Sequence, residues 1–261
     1  MAKATNADVK NNELSAEELA QQYTGALVEK ALEAERVYAT YSQEQVDNIV
    51  AAMALAGSEA SLELAKEAHA ETGRGVVEDK DIKNHFATEY VYERIKNEKT
   101  VGIIGEDKVS GSIQIAAPLG VLAGIVPTTN PTSTTMFKIL VALKTRNAIV
   151  FAFHPQAQKC SAHAAQILYD AAVKAGAPEN IVQWIETPSL ANTSALIQNP
   201  KIASIIFPED IGSNPSFPFI NCFIMALPAS PYPTDIRPDV LINVLSITFI
   251  SYFTFCVSFL I

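Results

Sequence analysis

Residues 121–155 read VLAGIVPTTNPTSTTMFKILVALKTRNAIVFAFHP, and this stretch decides the fold. Residues 120–126 form a continuous apolar run that stops at Pro127, as a strand buried on both faces does. Met136, Ile139, Leu140 and Leu143 then recur on one face of a helix, and residues 148–153 make a second buried strand. The pattern continues downstream. Ala164, Ile167, Leu168, Ala171, Ala172 and Ala175 mark a helix, with Gly176 at its C-cap position and Pro178 just beyond. Residues 181–185 read as a third strand, 189–198 as a short helix and 202–207 as a fourth strand. Strands and helices that alternate over short connections predict a parallel α/β sheet, the skeleton of a nucleotide-binding domain. The pattern names no ligand.

The region before it reads as mostly helical. Ser15-Ala16-Glu17-Glu18 and Ser42-Gln43-Glu44-Gln45 are both capping boxes, in which the hydroxyl and the carboxylate or amide satisfy early backbone N–H groups reciprocally. Behind the first box, Leu19, Tyr23, Ala26 and Leu27 are the expected apolar face. Behind the second come Val46, Ile49, Val50, Met53 and Ala54. A third helical stretch spans 78–97, with Ile82, Phe86 and Tyr90 as its stripe, and residues 112–117 read as a strand. The organisation expected is therefore a helical N-terminal region with strand segments over 1–118, a dinucleotide-binding α/β portion over 119–207, and a tail over 208–261.

The chain has 261 residues, a net charge of −9 and 49% hydrophobic residues, so it can bury a core and is a poor general nucleic-acid binder. Three scattered cysteines, Cys160, Cys222 and Cys256, exclude a disulfide framework and a CxxC metal site, and a reducing compartment is the default. No secretory signal pattern is visible, and a cytoplasmic location is expected. His69, His85, His154 and His163 have no recurrent metal spacing, so no metal site is expected.

In open α/β sheets ligands bind beyond the carboxyl ends of the strands. The first such end is Val126-Pro127-Thr128-Thr129-Asn130-Pro131, leading into a hydroxyl-rich helix start. Backbone N–H groups and the helix dipole favour a polarised oxygen there, and the Asn130 amide can donate to a developing oxyanion. The plainer reading is that Asn130 and Thr132 only cap the helix, with Pro131 near its first position. The second end is His154-Pro155, where His154 either meets a ribose or caps the next helix. The third, Pro208-Glu209-Asp210, offers carboxylates where a pyrophosphate loop would need glycines. GxGxxG, Walker A, HExxH and GxSxG motifs are all missing from the sequence.

Residues 121–155 closely resemble the aldehyde dehydrogenase domain of bifunctional aldehyde–alcohol dehydrogenases. The likeness extends back through Gly75-Val76-Val77-Glu78-Asp79-Lys80 and Ile82-Lys83-Asn84-His85-Phe86-Ala87. It runs forward through Ala175-Gly176-Ala177-Pro178 and Trp184-Ile185, covering about residues 30–206. The resemblance implies a partial Rossmann-like sheet of the aldehyde dehydrogenase type, an NAD cofactor, aldehyde and CoA thioester substrates, and a possible homo-oligomer. It implies oxyanion stabilisation by Asn130. Val126, Pro127, Thr128 and Thr129 would lie beside the nicotinamide half, and His154 and Pro155 near the adenosine. The family's nucleophilic cysteine falls in a catalytic domain that the sequence does not match, and Cys160 sits on a helix unsuited to replace it. An inactive chain with weak or lost NAD binding is therefore expected.

From Pro208 onward the sequence changes character. It holds seven of the 14 Pro and seven of the 12 Phe, and its charged residues are Glu209, Asp210, Asp235, Arg237 and Asp239. The tail is expected to be irregular or weakly helical, poorly packed, and the product of a shifted frame or an intron. Residues 240–261 lack charge and are long enough to span a membrane, although polar and β-branched residues and the lack of a basic flank argue against it. Two other functions stay open: a non-catalytic nucleotide-binding or oligomer-interaction module, and a tail-anchored membrane protein.

Overall fold

The structure, a computed structural model, describes residues 14–109, 111–208 and 222–226. The chain opens with α1 (Ala16–Tyr38), α2 (Gln43–Glu59), α3 (Ser61–Thr72) and α4 (Val77–His85). A π-helical turn (Phe86–Tyr90) leads into α5 (Val91–Ile95), and a hairpin of β1 (Gly102–Asp107) and β2 (Ser112–Ala116) follows. Next come β3 (Val121–Val126), α6 (Pro131–Lys144), β4 (Ala148–Phe153), a 3₁₀ turn (Pro155–Ala157) and α7 (Gln158–Lys174). The last elements are β5 (Val182–Trp184), α8 (Leu190–Ile197), β6 (Ile202–Pro208) and β7 (Cys222–Ala226). Both capping boxes form: the Ser15 hydroxyl accepts from Glu18 N and the Ser42 hydroxyl from Gln45 N, each reciprocated.

The main sheet has the order β5-β4-β3-β6-β7, and its first four strands are parallel. Taken in chain order the four parallel strands lie 3-2-1-4, so the order reverses between β3 and β6. That reversal is the topological switch point where open α/β sheets bind ligands. α6 and α7 pack together and on the sheet with α2 behind them, while α1 and α8 form a second pair against β4 and β6. Together they leave every residue of β4 buried. At the entrance to β3, the Asn147 Oδ1 accepts from Leu119 N and Gly120 N at 2.6 and 3.0 Å.

Three expectations need correction. The faces assigned to two helices are rotated. In α1 the buried residues are Ala20, Thr24, Val28, Ala31, Ala34, Glu35 and Tyr38, and Leu19 is exposed. In the α4–α5 stretch Ile82 and Tyr90 are exposed, while Lys80, Asn84, Ala87, Thr88, Val91 and Ile95 are buried. The cause there is twofold: the π turn shifts the helical phase after His85, and the inward face of α4 sets Lys80 and Asn84 against polar atoms of the β3–α6 connection, while Val91 and Ile95 beyond the π turn join the apolar core. Finally, residues 222–226 of the tail pair antiparallel with β6, from Ser204↔Ala226 to Pro208↔Cys222. An unpaired sheet edge beside an apolar β-rich segment is satisfied by adding a strand, so this part of the tail is neither irregular nor helical. α3 and β1 had no sequence counterpart among the expected elements.

None of the helices among the described residues is long and apolar enough to cross a membrane, and residues 240–261 lie outside them.

Candidate functional site

The parallel strands bring the candidate residues on β3 and β4 to one edge of the sheet. The loop after β3 carries Pro127, Thr128, Thr129 and Asn130. Val126 is buried, so it offers that edge only its backbone. Thr129 is exposed, and Pro127, Thr128 and Asn130 are half-buried. Asn130 occupies the N-cap position of α6 with Pro131 at the first helical position, but its side chain makes no cap hydrogen bond. Capping alone therefore does not account for this residue. Its Oδ1 accepts instead from Lys83 Nζ at 3.3 Å, so the amide nitrogen is left as a donor. Thr132 is no cap either: its hydroxyl donates to Asn84 Oδ1 at 2.8 Å.

α4 supplies the floor of this loop. Lys80, Lys83 and Asn84 share one face by their i, i+3 and i+4 spacing. Lys80 is 5% exposed and its Nζ donates to the Thr129 carbonyl at 3.1 Å. Burial, with the Lys83 ammonium nearby, pulls the Lys80 pKa below the ordinary lysine range. Asn84 uses both ends of its amide, since its Nδ2 donates to the Ser61 carbonyl at 2.9 Å. Sequence reasoning missed this set; the available signal was three polar residues at helical spacing inside a stretch read as amphipathic.

At the switch point lies a second missed residue. Lys138 is 1% exposed, and its Nζ donates to Ile125 O at 2.5 Å and Ile206 O at 2.8 Å. The ammonium thus ties together the carboxyl ends of β3 and β6. Its sequence signal was a cation set inside the apolar stripe of Met136, Ile139 and Leu140.

After β4, His154 and Pro155 are exposed. His154 Nδ1 accepts from Gln156 N at 3.1 Å, so this nitrogen caps the 3₁₀ turn and Nε2 of the exposed ring is the available group. Cys160 is 1% exposed, and its Sγ lies 3.5 Å from the Ala157 carbonyl. Burial and the neighbouring Glu71 push its thiol up to about 12, so it stays protonated at neutral pH. Glu71 accepts from the Lys159 and Cys160 backbone nitrogens at 2.9 and 2.7 Å, which caps α7. Cys160 is thus a packing residue. His85 and His163 are engaged by carboxylates, His85 by Glu89 at 2.9 Å and His163 by Glu67 at 2.8 Å. Among the described residues no group of three or more acidic, His or Cys side chains could hold a metal ion.

The donor set can take a polar ligand at the carboxyl ends of the strands. Hydroxyls and a free amide line the loop at the switch point, and His154 lies at the neighbouring strand end. The chain also resembles known proteins. Residues 7–215 match the aldehyde dehydrogenase family, past Phe207 where the likeness was expected to stop. The bifunctional aldehyde-alcohol dehydrogenase AdhE of Escherichia coli (strain K12) is 53% identical over 181 residues, 69% of this chain and 20% of that protein. The matched part of the chain spans about a fifth of the length of this and the other bifunctional relatives. An acetylating aldehyde dehydrogenase from Geobacillus thermoglucosidasius superposes with a TM-score of 0.71 at 44% identity, covering 74% of this chain and 43% of that one. An engineered glycolyl-CoA reductase with bound NADP+ superposes with a TM-score of 0.61 at 29% identity, over 71% of this chain and 42% of that one.

Proposed function

The chain belongs to the aldehyde dehydrogenase family, and on that premise we propose that it carries the nicotinamide-facing, carbonyl-polarising portion of an NAD-dependent acylating aldehyde dehydrogenase. The substrate class is an aldehyde and its CoA thioester. The observation that carries the reading is Asn130: it stands at the switch point, out of its capping role, with an amide donor free. When bound, the dinucleotide supplies hydride transfer. The chain's own residues do the rest of the work assigned here. Asn130 Nδ2 donates to the carbonyl oxygen, a contribution worth on the order of 10²-fold or more in rate at such sites. Thr128, Thr129, the Val126 backbone and Pro127 face the nicotinamide half. His154 Nε2 and Pro155 face the adenosine half. Residues 119–207 form the cofactor portion, and α4 of the N-terminal region braces it. The location proposed is cytoplasmic.

The reaction also needs a thiolate beside Asn130. Cys160 is buried, on α7, and held protonated, so it does not serve. The resemblance puts the nucleophilic cysteine in sequence unlike that around Cys222 and Cys256, so we assign no acetaldehyde dehydrogenase turnover to this chain by itself, and weak NAD binding, since Glu209 and Asp210 follow β6 in the sequence. A second reading, an interaction module, is favoured by the hairpin: Ile103, Ile113 and Ile115 are 57%, 48% and 50% exposed, and Ile103 pairs with Ile115. A second copy of the chain, or further chain of the same enzyme, would cover that face.

The test is purified chain with acetaldehyde, CoA and NAD, followed at the NADH absorbance, beside a calorimetric titration with NAD. No turnover and binding weaker than micromolar are expected. Turnover lost in Asn130→Ala would show that another residue supplies the thiolate, and turnover lost in Cys160→Ser would return that role to Cys160.

A further inference from the structure

We propose that Lys83 is a positioning residue that turns Asn130 from a helix cap into an oriented, polarised amide donor; this rests on the role given to Asn130 above. An asparagine at an N-cap normally accepts with its side-chain oxygen from a backbone N–H in the first turn. Asn130 does not, and its oxygen is held by Lys83 Nζ at 3.3 Å. An ammonium can donate and cannot accept. The flipped amide would set its NH₂ group against that cation, so only one orientation is favoured, with Nδ2 directed away from α4. A charged donor on the amide oxygen also draws density from the nitrogen and makes its N–H groups stronger donors. The geometry around the pair is fixed. Lys80 holds the Thr129 carbonyl at 3.1 Å and Asn84 holds the Thr132 hydroxyl at 2.8 Å, one residue before Asn130 and two after it. The loop is thus anchored on both sides by other residues of α4, and Lys83 acts on the side chain of Asn130 rather than on the loop.

This distinction gives the test. In Lys83→Met the freed oxygen of Asn130 turns to cap α6, so the helix keeps its stability while the donor is lost from the site. The experiment follows the side-chain amide protons of Asn130 by NMR in the ¹⁵N-labelled full chain, identified through their loss in Asn130→Ser. In Lys83→Met the Asn130 pair moves upfield, the Asn84 and Asn147 pairs stay in place, and the melting temperature is unchanged or higher. Lys83→Arg, which keeps a cationic donor, brings the Asn130 pair back toward the wild-type position. An Asn130 pair that does not move in Lys83→Met would overturn the proposal. So would a general spectral change, a loss of the fold in that variant, or a failure of Lys83→Arg to restore the signal, because each makes the lysine merely structural. NAD titration of the wild-type chain is read separately. Millimolar binding without the Asn130 shift removes the Lys83 assignment alone, and the shift without binding even at millimolar NAD removes the cofactor reading alone.

Discussion

The β3–β4 pair and the β1–β2 hairpin are both two neighbouring strands, yet they live in opposite surroundings. β4 is buried at all six residues and β3 at five of its six. The hairpin exposes four of six residues in β1 and four of five in β2. In the first pair, helices lie on both faces, so no alternation is needed and an unbroken apolar run is the stable solution. In the second, the strands hold each other by backbone hydrogen bonds, and Ile103, Ile113 and Ile115 stay exposed on a face that nothing in the described chain covers. Packing determines the energetics of the first pair. In the second, pairing suffices and the side chains are available for another task.

The sharpest break in this comparison is Phe151→Ala. Phe151 is fully buried in β4 and stacks on Phe153 with ring centroids 5.3 Å apart. Its truncation should cost about 3–5 kcal/mol in urea unfolding, enough to threaten the fold of the whole sheet. Next in size is Gly124→Ala on β3. A Cβ there would meet the Phe151 ring at 2.6 Å, so the ring must shift, and a loss of about 1–3 kcal/mol is expected by thermal melting. If Gly124→Ala proves neutral, the β3–β4 interface is looser than its burial indicates.

A smaller effect is expected on α1, which packs against β4. Glu35 is 3% exposed, and burial raises its carboxyl pKa against the opposing pull of Arg36 and Arg146. Its folded state therefore holds the proton more tightly than the unfolded one. Its contribution is fully present below the unfolded carboxylate value, about pH 4.3, and falls as pH rises toward the raised folded value. Glu35→Gln should flatten the stability profile across that window, with a change of about 1 kcal/mol or less at neutral pH. A profile as steep as wild type there would assign the slope to another group. The smallest effect belongs to the hairpin: Ile113→Ser should alter stability by no more than about 0.5 kcal/mol. If the hairpin is a contact surface, the same variant shifts the elution volume in size-exclusion chromatography. If stability falls as in Phe151→Ala instead, the two strand pairs are alike after all.

The parts of the fold that could be read early share a property. The runs 120–126 and 148–153 and the stripes of α2 and α6 are apolar because they face apolar neighbours, and hydrophobic period records that directly. The capping boxes were legible because their chemistry is complete within four residues. β1, GIIGED, carries neither a burial pattern nor a turn signal of its own, and it is a strand only because β2 pairs with it. Lys80, Lys83 and Asn84 were illegible as site residues for a related reason. Their partners lie 47 to 49 positions away in the chain, at a loop and helix start whose carbonyl, amide and hydroxyl no periodicity can announce.

The sequence by itself determined the α/β class, the strand that ends at Pro127, the helix that begins at Pro131, and the candidate standing of Asn130, because each depends on local chemistry or on the period of apolar residues. Only the tertiary structure decided what Asn130 does with its two ends. An amide at an N-cap can accept from its own helix or from elsewhere, and the local sequence favours the helix. The choice went to Lys83 because α4 packs under the β3–α6 loop and brings a cation, which can only donate, within reach of the amide oxygen.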